Sequence, residues 1–154
     1  MKAKKIKSAI FNNHKKVLEV IYASGKSVRV HYRQLGIIKN ISDVWVDKET
    51  SGLSLGIRFE DQTENYMPYD QPLALVRDPE YLLQNQIEKV TARIRNAIVE
   101  KGISKRFLAE QLKTSDNQIQ RLLDPRILNK NLEQLYKIAT LLGLEFEWRI
   151  KEAG

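Results

Sequence analysis

Polar side chains between positions 116 and 121 carry groups that can make paired hydrogen bonds. The carboxamides of Asn117 and Gln120 donate and accept together, so each can pair with an adenine edge, and the Arg121 guanidinium can pair with guanine. Asp116 has two interpretations: its carboxylate could accept from cytosine N4, or it could only be a negative charge in the first turn of a helix. We favour the second.

Catalytic and metal-binding chemistry has little support in the same sequence. The chain has no cysteine, which excludes disulfides, thiolate ligands and thiol nucleophiles. Its two histidines, His14 and His31, show no paired ligand spacing. Phosphate-binding glycine loops, nucleophile elbows and zinc-protease motifs are absent from the sequence. We therefore expect no catalytic residues, no metal, no cofactor and no enzymatic activity.

The charge of the chain favours a polyanionic partner. Lys and Arg total 26 against 19 Asp and Glu, giving a net charge of +7 and a pI near 9.6. Residues 1–16 hold six lysines and no acid, and residues 101–130 hold seven basic and three acidic side chains. We interpret 1–16 as a basic tail, either solubilising or following DNA phosphates. No apolar stretch approaches a membrane span or a signal peptide, so we expect a cytoplasmic protein without a membrane partner.

Residues 17–77 alternate apolar and polar side chains, which predicts a small antiparallel sheet or barrel of unknown role. Turn-forming residues separate the alternating runs. The predicted strands cover 17–23, 27–33, 43–47, 53–60 and, less clearly, 63–67.

The apolar spacing changes at Asp78-Pro79, a good N-cap followed by a residue favoured in the first turn. Apolar residues from Leu83 to Ile98 then recur every three or four positions until Gly102, which predicts one long connecting helix. Its apolar stripe could pack internally or form a dimer seam. Further helices are predicted over 104–113, 115–123 and 131–143, followed by an amphipathic terminal strand over 144–151.

The helices over 104–113 and 115–123 have the dimensions of a helix-turn-helix, with core residues 104–123. Three segments together resemble the Cro/repressor-type helix-turn-helix family, also called the xenobiotic-response-element type. They run from Ile103 to Leu112, from Thr114 to Leu122 and from Leu135 to Leu144. The resemblance covers about 90–154. The ending Arg121-Leu122-Leu123-Asp124-Pro125 is similar to a subgroup that includes antitoxins.

The resemblance implies roles for particular residues. Base-contacting positions of the family correspond to Asp116, Asn117, Gln120 and Arg121. Phosphate-contacting positions correspond to Lys105, Ser115, Arg126 and Lys130, although the family often has Gln where Lys105 stands. Lys and Arg on phosphates supply salt-dependent affinity without sequence information.

The predicted fold is therefore α+β: a basic tail over 1–16, a β module over 17–77, and a lambda-repressor-like helix-turn-helix domain over 78–154. The favoured function is a sequence-specific regulator of transcription from a prokaryote or phage, a repressor that binds double-stranded DNA as a homodimer with helix 115–123 in the major groove. One alternative is an antitoxin that binds a toxin protein and represses its own operon. Another is that residues 17–76 bind RNA or a ligand. Trp45 and Trp148 are expected in a core or an interface, not as base-stacking platforms.

Overall fold

The computed structural model describes residues 5–153, which form a mixed α+β structure of two antiparallel three-stranded sheets and five α-helices. The strands are β1 (Ile6–Asn12), β2 (Val17–Tyr22), β3 (Ser27–His31), β4 (Ile41–Val46), β5 (Ser54–Phe59) and β6 (Glu64–Pro68). The helices are α1 (Asp70–Leu75), α2 (Pro79–Lys101), α3 (Lys105–Leu112), α4 (Asp116–Leu123) and α5 (Leu132–Leu141). In residues 5–153 no helix combines the length and apolarity that crossing a membrane requires.

The chain divides into two compact units, Met1–Leu82 and Leu83–Gly154. The division lies within α2, slightly after the boundary between 77 and 78 that the change of apolar spacing suggests. Asp78 caps α2 as expected, since its carboxylate accepts from the Tyr81 N–H at 3.0 Å. Gly102, with a φ of +62°, follows the last helical residue in the left-handed conformation that glycine adopts without strain.

The first unit contains two successive meanders, ordered β1-β2-β3 and β4-β5-β6. Alternation places Leu18, Val20 and Tyr22 of β2 in the core, opposite the buried Val28 and Val30 of β3. The two sheets meet where β1 packs beside β4, and the Ile6 N–H donates to the Gly52 carbonyl at 2.9 Å. One apolar core, reaching from Ile6 to Leu73, holds this unit together.

The interpretation of residues 1–16 as a tail is wrong for the residues that the structure describes. Ile6–Asn12 forms β1, which pairs antiparallel with β2, while residues 1–4 lie outside the described part of the chain. Ile6 is buried, and Ala9 and Phe11 pack against the core. A shift of register between Ile6 and Ser8 breaks the period-two pattern that would have identified the strand.

The remaining strands begin and end close to the predicted positions. The chief difference is at β3, where the chain leaves the sheet at Tyr32 and makes a 3₁₀ turn to Leu35. Short helix α1 follows β6 in a region where only strands were predicted. Trp45 is half-buried, with its ring against Gly56 and edge-on to Tyr66 at 6.0 Å between ring centroids.

The second unit has its own core, built from α2, α3, α4 and α5. Ile94 and Ala97 of α2 are buried in it, and Val90 and Ile98 pack against it. This part of the apolar stripe of α2 therefore packs internally, while Leu83 at its beginning is exposed.

The predicted strand over 144–151 is wrong: residues 144–153 contain neither strand nor helix. The Leu144 N–H donates to the Ala139 carbonyl at 2.8 Å, and the Leu144 and Phe146 side chains pack against the core of the second unit. A strand needs the backbone of a neighbour as its partner, and in residues 5–153 none is placed beside this segment.

Candidate nucleic-acid interface

Helix α3 is fixed at its start by a side-chain cap and along its length by the core. The Ser104 hydroxyl accepts from the Phe107 N–H at 3.1 Å, which satisfies one of the four N–H groups that a helix leaves unpaired. Leu108, Ala109 and Leu112 are buried. Because Ala109 is small, α3 and α4 can approach each other closely.

A turn of three residues joins α3 to α4. Lys113 takes a φ of +54° in the left-handed region, and the Thr114 N–H donates to the Ala109 carbonyl at 2.9 Å. Ser115 then caps α4, its hydroxyl accepting from the Gln118 N–H at 3.1 Å. The spacing of the two serines thus sets where both helices begin.

Helix α4 has one apolar and one polar side. Ile119, Leu122 and Leu123 are buried in the core of the second unit. The four side chains that were predicted to contact bases, Asp116, Asn117, Gln120 and Arg121, are all exposed. Within residues 5–153 the Asn117, Gln120 and Arg121 side chains make no hydrogen bond or ion pair. Asp116 is the acidic residue in the first turn of α4.

Two residues predicted to contact phosphate lie at helix starts. Lys105 is the first residue of α3 and is exposed, and its side chain makes no hydrogen bond or ion pair to any other described residue. Ser115 is also exposed, and its hydroxyl can still donate a hydrogen bond outward while it accepts from Gln118. Both groups are free to meet an anion.

Arg126 is engaged by a neighbouring carboxylate. Its Nε and Nη2 donate to the two Asp124 oxygens at 3.0 and 2.9 Å, and its N–H donates to Oδ1 at 2.9 Å. These hydrogen bonds hold the pKa of the Asp124 carboxyl well below its ordinary value. The Arg126 side chain stays 73% exposed, but its charge is offset by Asp124.

Lys130 is half-buried and turned toward the end of α4. Its ammonium donates to the Arg121 carbonyl at 2.6 Å and to the Asp124 carbonyl at 2.5 Å. Burial lowers the pKa of the Lys130 amine, as do the nearby charges of Arg121 and Arg95, while Asp124 raises it. Lys130 thus adds a second donor to two carbonyls at the end of α4 that also accept backbone N–H groups, a role that the resemblance does not imply.

A groove of about 250 Å³ beside α4 contains residues that sequence reasoning missed. It is lined by Gln118 and Arg121 of α4, by the loop at Asn129 and by Gln134 of α5. The spacing from Ser115 to Gln118 is that of a helix cap, and it does not indicate that the Gln118 side chain is exposed beside this groove. Lys113, in the turn between α3 and α4, is a further exposed cation without an ion pair to any described residue.

The described residues contain no group of three His, Asp or Glu side chains that could hold a metal ion. Exposed amides and cations surround the polar side of α4. Comparisons with protein-family models, curated proteins and solved structures found no match to this chain.

Proposed function

We propose that this protein is a sequence-specific DNA-binding regulator of transcription, and that α4 enters the major groove. The observation that carries the proposal is the exposed polar side of α4, whose Asn117, Gln120 and Arg121 side chains have no partner among residues 5–153. Amides and guanidinium groups held on a rigid helix and left free are the groups that distinguish base pairs in the major groove.

The dimensions of α4 support this proposal. An α-helix with its side chains is about 10–12 Å in diameter, and the major groove is about 12 Å wide, so the groove admits a helix such as α4. Its opposite side is anchored in the core by Ile119, Leu122 and Leu123, so the polar side is held in a fixed orientation. A helix fixed in this way loses little conformational entropy on binding.

The cations around α4 differ in how readily they could contact a DNA phosphate. Lys105, Lys113 and Arg121 are exposed and make no ion pair with another described residue, so they are the cations best placed to contribute salt-dependent affinity. Arg126 would have to leave Asp124, and Lys130 would have to leave two carbonyls, before either could contact a phosphate. We therefore propose Lys105 and Ser115 as phosphate contacts, and assign Lys130 to the stability of α4.

The proposal is tested by selecting bound duplexes from a randomised pool. The protein is then titrated with a selected duplex and with a random duplex at about 0.15 M salt. Arg121→Ala should lower the preference for one base pair roughly 5- to 150-fold. Lys105→Ala should weaken binding to every duplex and reduce the salt slope by about one. Arg29→Ala is the matched control, since it removes the same charge from an exposed position on β3.

A chain that binds no duplex more tightly than random DNA contradicts the proposal. If Arg121→Ala weakens selected and random duplexes equally, Arg121 does not contact a base.

A further inference from the structure

Residues 144–151 have a self-complementary order of side chains. Leu144, Phe146, Trp148 and Ile150 alternate with charged residues, and the charges change sign at Trp148. Glu145 and Glu147 precede it, and Arg149 and Lys151 follow it. If two copies of the segment run antiparallel with Trp148 opposite Trp148, every negative side chain therefore lies opposite a positive one.

The backbone of this segment is unpaired in the structure. From Glu145 to the last described residue, no N–H or carbonyl makes a hydrogen bond to another described residue. Free backbone groups beside alternating side chains are a ready template for pairing with another strand.

The apolar side chains of the segment extend beyond the core of the second unit. Phe146 is half-buried, and its ring lies 4.9 Å from that of Tyr136 between centroids. Trp148 continues the row, 6.4 Å from Phe146, with its indole N–H donating to the Tyr136 hydroxyl. Trp148 is nevertheless 64% exposed and Ile150 is 99% exposed. The row of apolar side chains thus begins at Phe146, which packs against the core, and ends at Ile150, which no described residue covers.

We propose that a second copy of this chain covers this row by pairing its own segment 144–151 antiparallel, about a two-fold axis at Trp148. In that register Phe146 lies opposite the partner's Ile150, and the two Trp148 side chains face each other on the same side. On the other side, Glu147 lies opposite the partner's Arg149, and Glu145 lies opposite the partner's Lys151.

The order of charges favours a second copy of the same segment as the partner, and it favours antiparallel over parallel pairing. Parallel, in-register pairing of two copies would set each glutamate against a glutamate and each cation against a cation, which is unfavourable. Antiparallel pairing of identical segments turns all four positions into opposite-charge pairs. The contact within one chain between Glu147 and Arg149, 3.9 Å long and highly exposed, is a weak surface pair and does not compete strongly.

This inference goes beyond DNA binding, because it concerns association of the free protein. A two-fold dimer would also present two copies of α4 to a palindromic duplex. The interface can be tested without DNA, so its failure is distinguishable from failure of the proposed function.

Sedimentation equilibrium of the full chain tests the proposal with two charge reversals. Glu147→Lys sets like charges together in its own homodimer, and so does Arg149→Glu. Each should weaken homodimerisation about tenfold relative to the unchanged chain. The two side chains are 85% and 80% exposed, so both variants should keep the fold. Glu49→Lys, in the exposed turn before β5, is the control for Glu147→Lys, because it changes the net charge by the same amount.

Complementation gives the decisive result. An equal mixture of the Glu147→Lys and Arg149→Glu chains should form heterodimers about as strong as the original homodimer, and the double variant should regain homodimerisation. The proposal is overturned if the unchanged chain stays monomeric up to about 0.1 mM. It is also overturned if the single variants dimerise as well as the unchanged chain, or if mixing them restores nothing.

Discussion

At the residue scale, Lys130 shows how a position implied by resemblance can acquire another role in the folded chain. The family position suggests a phosphate contact, but the ammonium donates to two carbonyls at the end of α4. Each carbonyl also accepts a backbone N–H, and the charged donor adds a further hydrogen bond to each at the end of the helix.

Lys130→Met keeps the aliphatic length of the side chain and removes the donor. We expect the free energy of unfolding in urea to fall by about 1–2 kcal/mol, since the carbonyls lose a charge-assisted partner. The salt slope of DNA binding should stay unchanged. Lys137→Met is the control, because Lys137 makes only an exposed pair with Glu133 and should cost less than about 1 kcal/mol. A stable Lys130→Met protein with a salt slope reduced by about one would restore the phosphate assignment.

The pKa of the Asp124 carboxyl indicates whether Arg126 is bound to Asp124 or is available to contact DNA. Hydrogen bonds from Arg126 keep the pKa of the Asp124 carboxyl well below its ordinary value. Because the pKa is depressed in the folded state, the pair stabilises the fold above the ordinary aspartate pKa, and this contribution is lost as the pH falls toward the folded value.

Arg126→Ala should therefore raise the Asp124 pKa toward its ordinary value, as measured by carboxyl NMR titration. The same pKa measured with bound duplex should stay below that of the Arg126→Ala variant if Arg126 stays on Asp124. A rise to the value of that variant on binding would show that Arg126 moves to the DNA, contrary to our assignment.

At the scale of elements, the two capping serines determine how α3 and α4 are placed. Ser115→Ala should lower the free energy of unfolding by about 1 kcal/mol, because the Gln118 N–H loses its acceptor. Ser115→Asp keeps a capping oxygen and should retain stability, yet it adds a negative charge. If Ser115 lies beside a phosphate, Ser115→Asp should weaken binding to all duplexes, whereas unchanged affinity would exclude that contact.

The helices could be predicted from the sequence because their signals are local. Ser104, Ser115 and Asn131 each cap a helix at the position where the sequence places them. Exposure of Asn117, Gln120 and Arg121 follows from helical periodicity once Ile119 and Leu122 are assigned to the core. The engagement of Arg126 and Lys130 could not be predicted, since it depends on the conformation of the loop after Asp124.

The strands show where local patterns are insufficient. Lys5 and Lys7 flank Ile6, and the shift of register near Ser8 hides the alternation, so β1 resembles a charged tail. Residues 144–151 have the opposite property, with clear alternation but no neighbouring strand among the described residues. Strand formation depends on a partner as well as on pattern.

At the scale of the whole molecule, the two units allow the binding function to be assigned by deletion. A fragment of residues 78–154 keeps α2 intact and retains the core of the second unit. We expect it to select the same bases as the full chain. A fragment that is helical by circular dichroism but no longer binds the selected duplex would favour the β module as the binding unit.

A toxin protein is still a prediction from the sequence, and co-purification of a stoichiometric partner from the native operon would test it. The absence of such a partner would count against the antitoxin alternative.

We propose that the polar side of α4 docks onto DNA. Amide NMR of the ¹⁵N-labelled chain, with and without a selected duplex, tests it most directly. We predict that the largest chemical-shift changes occur from Ser115 to Arg121 and at Lys105, with small changes in β1 to β6. Changes concentrated in the β module, with the resonances of α4 unaltered, would contradict the claim.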